Sequence, residues 1–222
     1  MLLLRCMLTL QENVYYATRE MGTLYETGQY LHNYALSYAL FSDTYIQGAY
    51  FCNSYRPTYA VDLARLAQTS IYVTPALPLH VDYLLATWKI GQVSYYRKPE
   101  RFGERGNYPD NYGRAKELAP ESTFQCYVLS QQPLKLPRWI RLGKWHSKAL
   151  VEAETLEVRH ASGDYGAAGP LNPLDVPPGV LRAFDIVSMP PSSLVANARC
   201  RGDYYEVTHG VGLPVGLAYR FP

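Results

Sequence analysis

Apolar residues in this chain recur mostly at every second position, and that limits what it can fold into. In residues 2–10, Leu4, Cys6, Leu8 and Leu10 form one face, while Arg5 and Thr9 share the other with Leu3 and Met7. Residues 123–130 repeat the pattern, with Phe124, Cys126 and Val128 set against Thr123, Gln125 and Tyr127. Successive side chains of an extended strand point to opposite faces, so this period predicts strands with one face in a core. An arginine on the opening strand turns its face toward solvent or a ligand. Further strands are expected at 71–73, 81–88, 138–142, 149–158, 194–200 and 201–207. Pro75 and Pro78 place the first of these at an edge or an end, and Gly143 joins 138–142 to 149–158. Helical spacing is clear only in Tyr30 to Phe41, where Leu31, Tyr34, Ala35, Tyr38 and Ala39 predict an amphipathic helix of about three turns. A short helical stretch is expected near 61–68. Many strands with one or two helices make an α+β chain with a mainly antiparallel sheet.

No repeat or low-complexity tract divides the 222 residues, so a single domain over 1–222 is expected, with room for an insertion. Cys6, Cys52, Cys126 and Cys200 are far apart and form no CxxC pair, which suggests neither a zinc site nor a disulfide framework. Arg5 interrupts the leucines at the N-terminus before a signal or membrane segment could form. A soluble protein of the reducing cytoplasm is expected, without contact to a membrane.

Residues 91–113 lose all apolar periodicity and are rich in Gly, Pro, Tyr and Arg. Such long loops in compact domains usually carry function. The charge is concentrated nearby. Eleven of the 21 basic residues but only five of the 19 acidic ones lie between Arg97 and Lys148, although the net charge is only +2. Trp139, Trp145, Tyr95, Tyr96, Tyr108 and Tyr112 are interleaved with these cations. Basic side chains neutralise phosphates and aromatic faces stack on unpaired bases, so the mixture suits a single-strand binder. The candidate RNA contacts are Arg97, Lys98, Arg101, Arg105, Tyr112, Arg114, Lys116, Arg138, Arg141, Lys144, Trp145 and Lys148. The 21 tyrosines, against 6 Phe and 3 Trp, suit surfaces with an apolar body and a wet tip, whether base platforms or protein interfaces.

Catalytic patterns are sparse. His32, His80, His146, His160 and His209 form no HExxH or HxH pair, so no metal is expected. The terminal GVGLPVG lacks the Lys and Ser/Thr of a nucleotide-binding loop, and there is no GxSxG elbow. His146 between Lys144 and Lys148 is the one set suited to metal-free RNA cleavage. A solvent- or phosphate-facing histidine explains the same residues without chemistry. No enzymatic activity and no cofactor are expected.

Several segments together resemble a known family: ATREMGTLYETGQYLHNYALSYAL (Ala17 to Leu40), YGRAKELAPES (Tyr112 to Ser122), LPRWIRLGKWHSKA (Leu136 to Ala149), NPLDVPP (Asn172 to Pro178) and MPPSSLVANAR (Met189 to Arg199). They are similar to the small Cascade subunit of type I-D CRISPR systems, in the Cas-five class of the RAMP superfamily. The resemblance implies an RRM-like, ferredoxin-like core, with a thumb-like insertion, for which 91–113 is the candidate, and additional C-terminal strands. It also implies a non-catalytic subunit that caps the 5′ handle of the guide RNA and docks the large subunit and a Cas-seven-class backbone subunit. Which subunit touches target DNA beside the protospacer-adjacent motif stays open. Two alternatives remain: a metal-independent endoribonuclease that processes precursor CRISPR RNA, and an adaptor that only docks proteins.

Overall fold

The computed structural model describes residues 1–22, 24–42, 44–46, 58–89 and 112–221. In chain order the elements are β1 (Leu2–Leu10), β2 (Arg19–Met21), β3 (Leu24–Glu26), α1 (Asn33–Phe41), α2 (Tyr59–Asp62), α3 (Ala64–Gln68), β4 (Tyr72–Val73), β5 (Leu77–His80), β6 (Tyr83–Lys89), β7 (Tyr112–Leu118), β8 (Thr123–Ser130), β9 (Trp139–Leu142), β10 (Ser147–Leu156), β11 (Arg159–Ala167), β12 (Leu181–Val187), β13 (Leu194–Thr208) and β14 (Val211–Pro214). The class is α+β, and most pairings are antiparallel. No helix among the described residues is long and apolar enough to cross a membrane.

The large sheet runs β4-β8-β1-β10-β9, with β5 also on β8. Leu4, Cys6, Leu8 and Leu10 are buried as the alternation requires, and Phe124, Cys126 and Val128 lie beside them. On the other face Arg5 pairs with Glu154 at 2.6 Å. Between β8 and β10 the chain forms β9 rather than a second long helix. In a second sheet, β2-β3-β7-β6, called the root sheet, β6 and β7 pair antiparallel up to Lys89 opposite Tyr112, the described residues on either side of 90–111. The third sheet, β11-β14-β13-β12, is built around β13, one continuous strand where two are expected.

Helix α1 departs from its expected form. It starts at Asn33, where His32 caps it by accepting from the Tyr34 N–H through Nδ1 at 3.2 Å. It is not amphipathic, since Asn33, Tyr34, Leu36, Ser37, Ala39, Leu40 and Phe41 are all buried. The reason is a buried polar network. Asp175, in the Asn172–Asp175 turn, accepts from Asn33 Nδ2 at 2.9 Å, the Tyr72 hydroxyl at 2.9 Å and the Arg220 N–H at 2.8 Å. The Tyr219 hydroxyl meets Ser37 Oγ at 2.6 Å and accepts from the Val73 N–H at 3.1 Å. The C-terminal segment is thereby fastened to α1 and β4 by satisfied polar groups.

Burial pushes the Asp175 carboxyl up to about 6 from its ordinary 3.8. The same cause pushes His32 down to about 4 from 6.5. From about pH 4 to 6 the folded chain keeps a proton on Asp175 that the unfolded chain releases, so this group makes stability fall as pH rises. His32 acts in reverse. The unfolded chain protonates it below 6.5 and the folded chain only near 4, so its contribution to stability rises with pH. The two slopes oppose each other in the wild type. Relative to the wild-type profile, Asp175→Asn is expected to gain stability as pH rises from 4 to 6.5, and His32→Asn, which keeps a capping residue, to lose it. Urea titrations across that range test this, and two variant profiles parallel to the wild type would refute it.

Candidate nucleic-acid interface

The β9–β10 hairpin sorts its side chains by alternation. Ile140 and Leu142 turn into the core, and Trp139 and Arg141 turn outward. Lys148 stands opposite Arg141 in register, and its Nζ lies 4.0 Å above the Trp139 ring. Glu12 holds these cations in place, because its carboxylate accepts from the Lys148 N–H at 2.8 Å and lies 3.6 Å from Arg141. Arg141 also donates to the His146 carbonyl at 3.1 Å.

The turn between the strands is tight and backbone-strained. Gly143 has φ +75°, and a Cβ there would lie 2.8 Å from the Tyr15 carbonyl oxygen. His146 also takes a left-handed φ of +54°. The close approach lets the Lys144 N–H donate to the Tyr15 carbonyl at 2.9 Å. It also brings the Trp145 ring onto Tyr15, 5.0 Å between centroids at 38°, with Lys144 Nζ 5.8 Å from the Tyr15 ring. Tyr15 is buried and Trp145 is 48% exposed, so the stack presents the indole to solvent on a fixed backing. Burial pushes the Tyr15 hydroxyl above its ordinary range. Arg138 is exposed just before β9.

The remaining basic candidates lie elsewhere. On β7, Arg114 and Lys116 share one face and Glu117 points the other way. Lys116 is engaged by Glu26 Oε1 at 2.7 Å and by the Tyr83 ring at 4.0 Å, and the Lys116 hydrogen bond lowers the Glu26 carboxyl. Glu117 is buried and accepts from Asn13 Nδ2 at 3.1 Å, close beneath the β9–β10 turn, where Ser147 Oγ donates to the Asn13 carbonyl. The basic stretch of the sequence is therefore split between the root sheet, with Arg114 and Lys116, and the β9–β10 hairpin of the large sheet, with Arg141, Lys144 and Lys148. Tyr112 and Gly113 are the first residues of β7, while Arg97, Lys98, Arg101, Arg105 and the rest of the 91–113 candidate lie outside the described residues. Among the described residues no group of three or more His, Cys, Asp or Glu side chains is arranged for a metal.

Tyr15 and Glu12 support the candidate site, and sequence reasoning did not single them out. They lie about 130 positions from the hairpin they support. The only local signal is a glycine in the β9–β10 turn, whose missing Cβ says that something passes close without saying what.

Gly143→Ala is expected to lower stability by about 2–4 kcal/mol, from the positive φ and the clash with Tyr15. Trp145→Ala removes a half-exposed ring stack, about 0.5–1.5 kcal/mol. Urea midpoints at unchanged m-value would separate the two, and equal losses would refute this account of the turn.

The family described as type I-D CRISPR-associated protein Cas5/Csc1 matches the chain over residues 1–222. No curated protein matches it significantly. Among solved structures, a chain of the type III-B Cmr-beta complex bound to cognate target RNA and AMPPnP, determined by cryo-EM, is 11% identical. The match covers 89% of this chain and 86% of that one at a TM-score of 0.48. A crystal structure of a CRISPR protein from Archaeoglobus fulgidus is 10% identical, over 93% of this chain and 96% of that one, at a TM-score of 0.36.

Proposed function

This chain belongs to the type I-D CRISPR-associated Cas5/Csc1 family, and from that membership we propose that it is a non-catalytic, RNA-binding subunit of a type I-D effector complex. In this reading it caps the 5′ handle of the guide RNA and docks the large and backbone subunits in the cytoplasm. The observation that carries the RNA contact is the β9–β10 hairpin. Trp145 is exposed and backed by Tyr15, with Arg141, Lys144 and Lys148 around it. A rigid aromatic face among cations suits an unpaired base and its flanking phosphates. Arg141 and Lys144 are exposed, and the Glu12 carboxylate lies 3.6 Å from Arg141 against the 2.7 Å that separates Glu26 from Lys116.

The test is guide-RNA binding by the assembled complex across a salt series. Arg141→Ala and Lys148→Ala are each expected to flatten the slope of log affinity against log salt by about 0.7 per lost phosphate contact. Trp145→Ala should cost about 1–3 kcal/mol with the slope unchanged, because stacking releases no counterions. If all three variants kept wild-type affinity and slope, the hairpin would be a protein-docking element and the adaptor reading would replace this one.

A non-catalytic role is supported by the setting of His146, which lies in an exposed turn with its carbonyl engaged by Arg141. The purified chain is expected not to cut a repeat-containing RNA, read on a denaturing gel. Cutting at the repeat that disappears in His146→Ala would assign the endoribonuclease activity instead.

A further inference from the structure

We propose that Trp139 is a second base-stacking residue, on the face of the large sheet turned away from the core. The inference rests on the RNA-binding reading above and extends that site from one nucleotide to two.

Trp139 is the first residue of β9, and the turn that carries Trp145 follows its other end. The strand from Trp139 to Leu142 covers about 10 Å. The two indoles therefore lie toward opposite ends of β9. The outward Arg141 and its register partner Lys148 stand between them. A ring at each end with a cation pair between follows the order base, phosphate, base along one RNA strand.

Trp139 is set as a platform rather than as a core residue. Leu150 stands directly opposite it on β10, and Thr9 stands opposite Leu150 on β1, so the three share one face. Leu150 and Thr9 are partly exposed, and Trp139 is 44% exposed. The core is filled from the other face, by the alternating Ile140 and Ala149. Indole and leucine together leave apolar surface open that a planar base would cover. Lys148 Nζ, 4.0 Å above the ring, holds the indole by a cation–π contact. A base that takes its place on the ring leaves that ammonium beside its own phosphate.

Charge selects RNA over a protein surface. Arg138, Arg141 and Lys144 are exposed on the hairpin, and Lys148 is partly so. Two carboxylates lie near these four cations. Glu12 is 3.6 Å from Arg141 and accepts from the Lys148 N–H, and Glu152 is exposed two residues along β10 from Leu150. Farther along the same face, Glu154 neutralises Arg5 at 2.6 Å. The excess positive charge is thus confined to the hairpin end of the face. A polyanion is drawn there and meets acid beyond Trp139, which bounds the site.

The experiment uses the assembled complex loaded with guide RNA that carries 4-thiouridine at successive positions, one per preparation. Photo-adducts are mapped by mass spectrometry, and RNA affinity across a salt series and the melting temperature are measured alongside. Two different RNA positions are expected to give adducts, one on Trp145 and a nearby one on Trp139. Trp139→Leu keeps an apolar side chain and loses the ring. It should abolish the second adduct and weaken RNA binding about tenfold, with the salt slope unchanged. Trp139→Phe restores a ring and should bring affinity back to within about threefold of wild type. A lower melting temperature in Trp139→Leu at wild-type RNA affinity would make Trp139 a structural residue and overturn the proposal. Adducts confined to Tyr15 and Trp145 would also overturn it and leave the RNA-binding reading standing. A protein subunit lost from the Trp139→Leu complex at unchanged RNA affinity would reassign this face to protein docking. No adduct anywhere on this chain would overturn both readings.

Discussion

The antiparallel seating of β1 between β8 and β10 is the constraint on which the rest depends. Its side-chain period is two, so a one-residue slip against either neighbour would move Leu4, Cys6, Leu8 and Leu10 out of the core and Arg5 into it. That register also fixes where the chain leaves the sheet. The Gln11 N–H donates to the Lys148 carbonyl at 2.9 Å, Val14 bridges Leu118 of the root sheet, and Tyr15 lies against Gly143. A segment of five residues therefore touches the hairpin and the root sheet in turn. The aromatic stack at Trp145 follows from the register of β1.

The C-terminal half is attached by different physics. Apolar packing alone tolerates sliding, whereas a buried carboxylate with three donors fits one arrangement only. Asp175 gathers donors from α1, β4 and the terminal segment, and Tyr219 adds contacts to α1 and to the backbone of Val73. Both Asp175 and His32 are held away from their ordinary ionisation by burial, which is the cost of placing polar groups where they specify geometry.

Much of the large sheet was legible in the sequence, because β1, β8, β9 and the first half of β10 each turn alternate residues into the core. The 123–130 and 138–142 segments, and their link through Gly143, follow from alternation and a glycine. Strands β11 and β12 were not legible. Residues 159–164 and 182–186 are mostly exposed on both faces, so nothing selects for apolar alternation, and backbone pairing with β13, joined for the end of β11 by β14, makes them strands. The amphipathic reading of α1 failed for a related reason. Asn33 and Ser37 look like solvent-facing positions until Asp175 and Tyr219, more than 140 residues away, satisfy them. In the candidate site, Trp145 and its neighbouring cations were visible as composition, but Tyr15 was not, since its role comes from tertiary approach.

Charge density along the chain is a poor map of charge at a surface. On β7 the period of two sends Lys116 to Glu26 and Tyr83 and sends Glu117 to Asn13 beneath the hairpin turn. The basic stretch is divided between the root sheet and the β9–β10 hairpin, and each sets a carboxylate, Glu26 or Glu12, beside its cations. Glu117 Oε1 is buried with no donor among the described residues, a condition that generally costs about 1–3 kcal/mol. Its neighbour Tyr15 responds by holding its own proton more tightly, burial first and nearby acidic groups, Glu117 among them, after it. Trp145 rests on the Tyr15 ring while the cations stand to its sides. In the proposed reading, a base approaching from solvent would meet aromatic surface in front and positive charge at the rim, with Glu117 buried behind them.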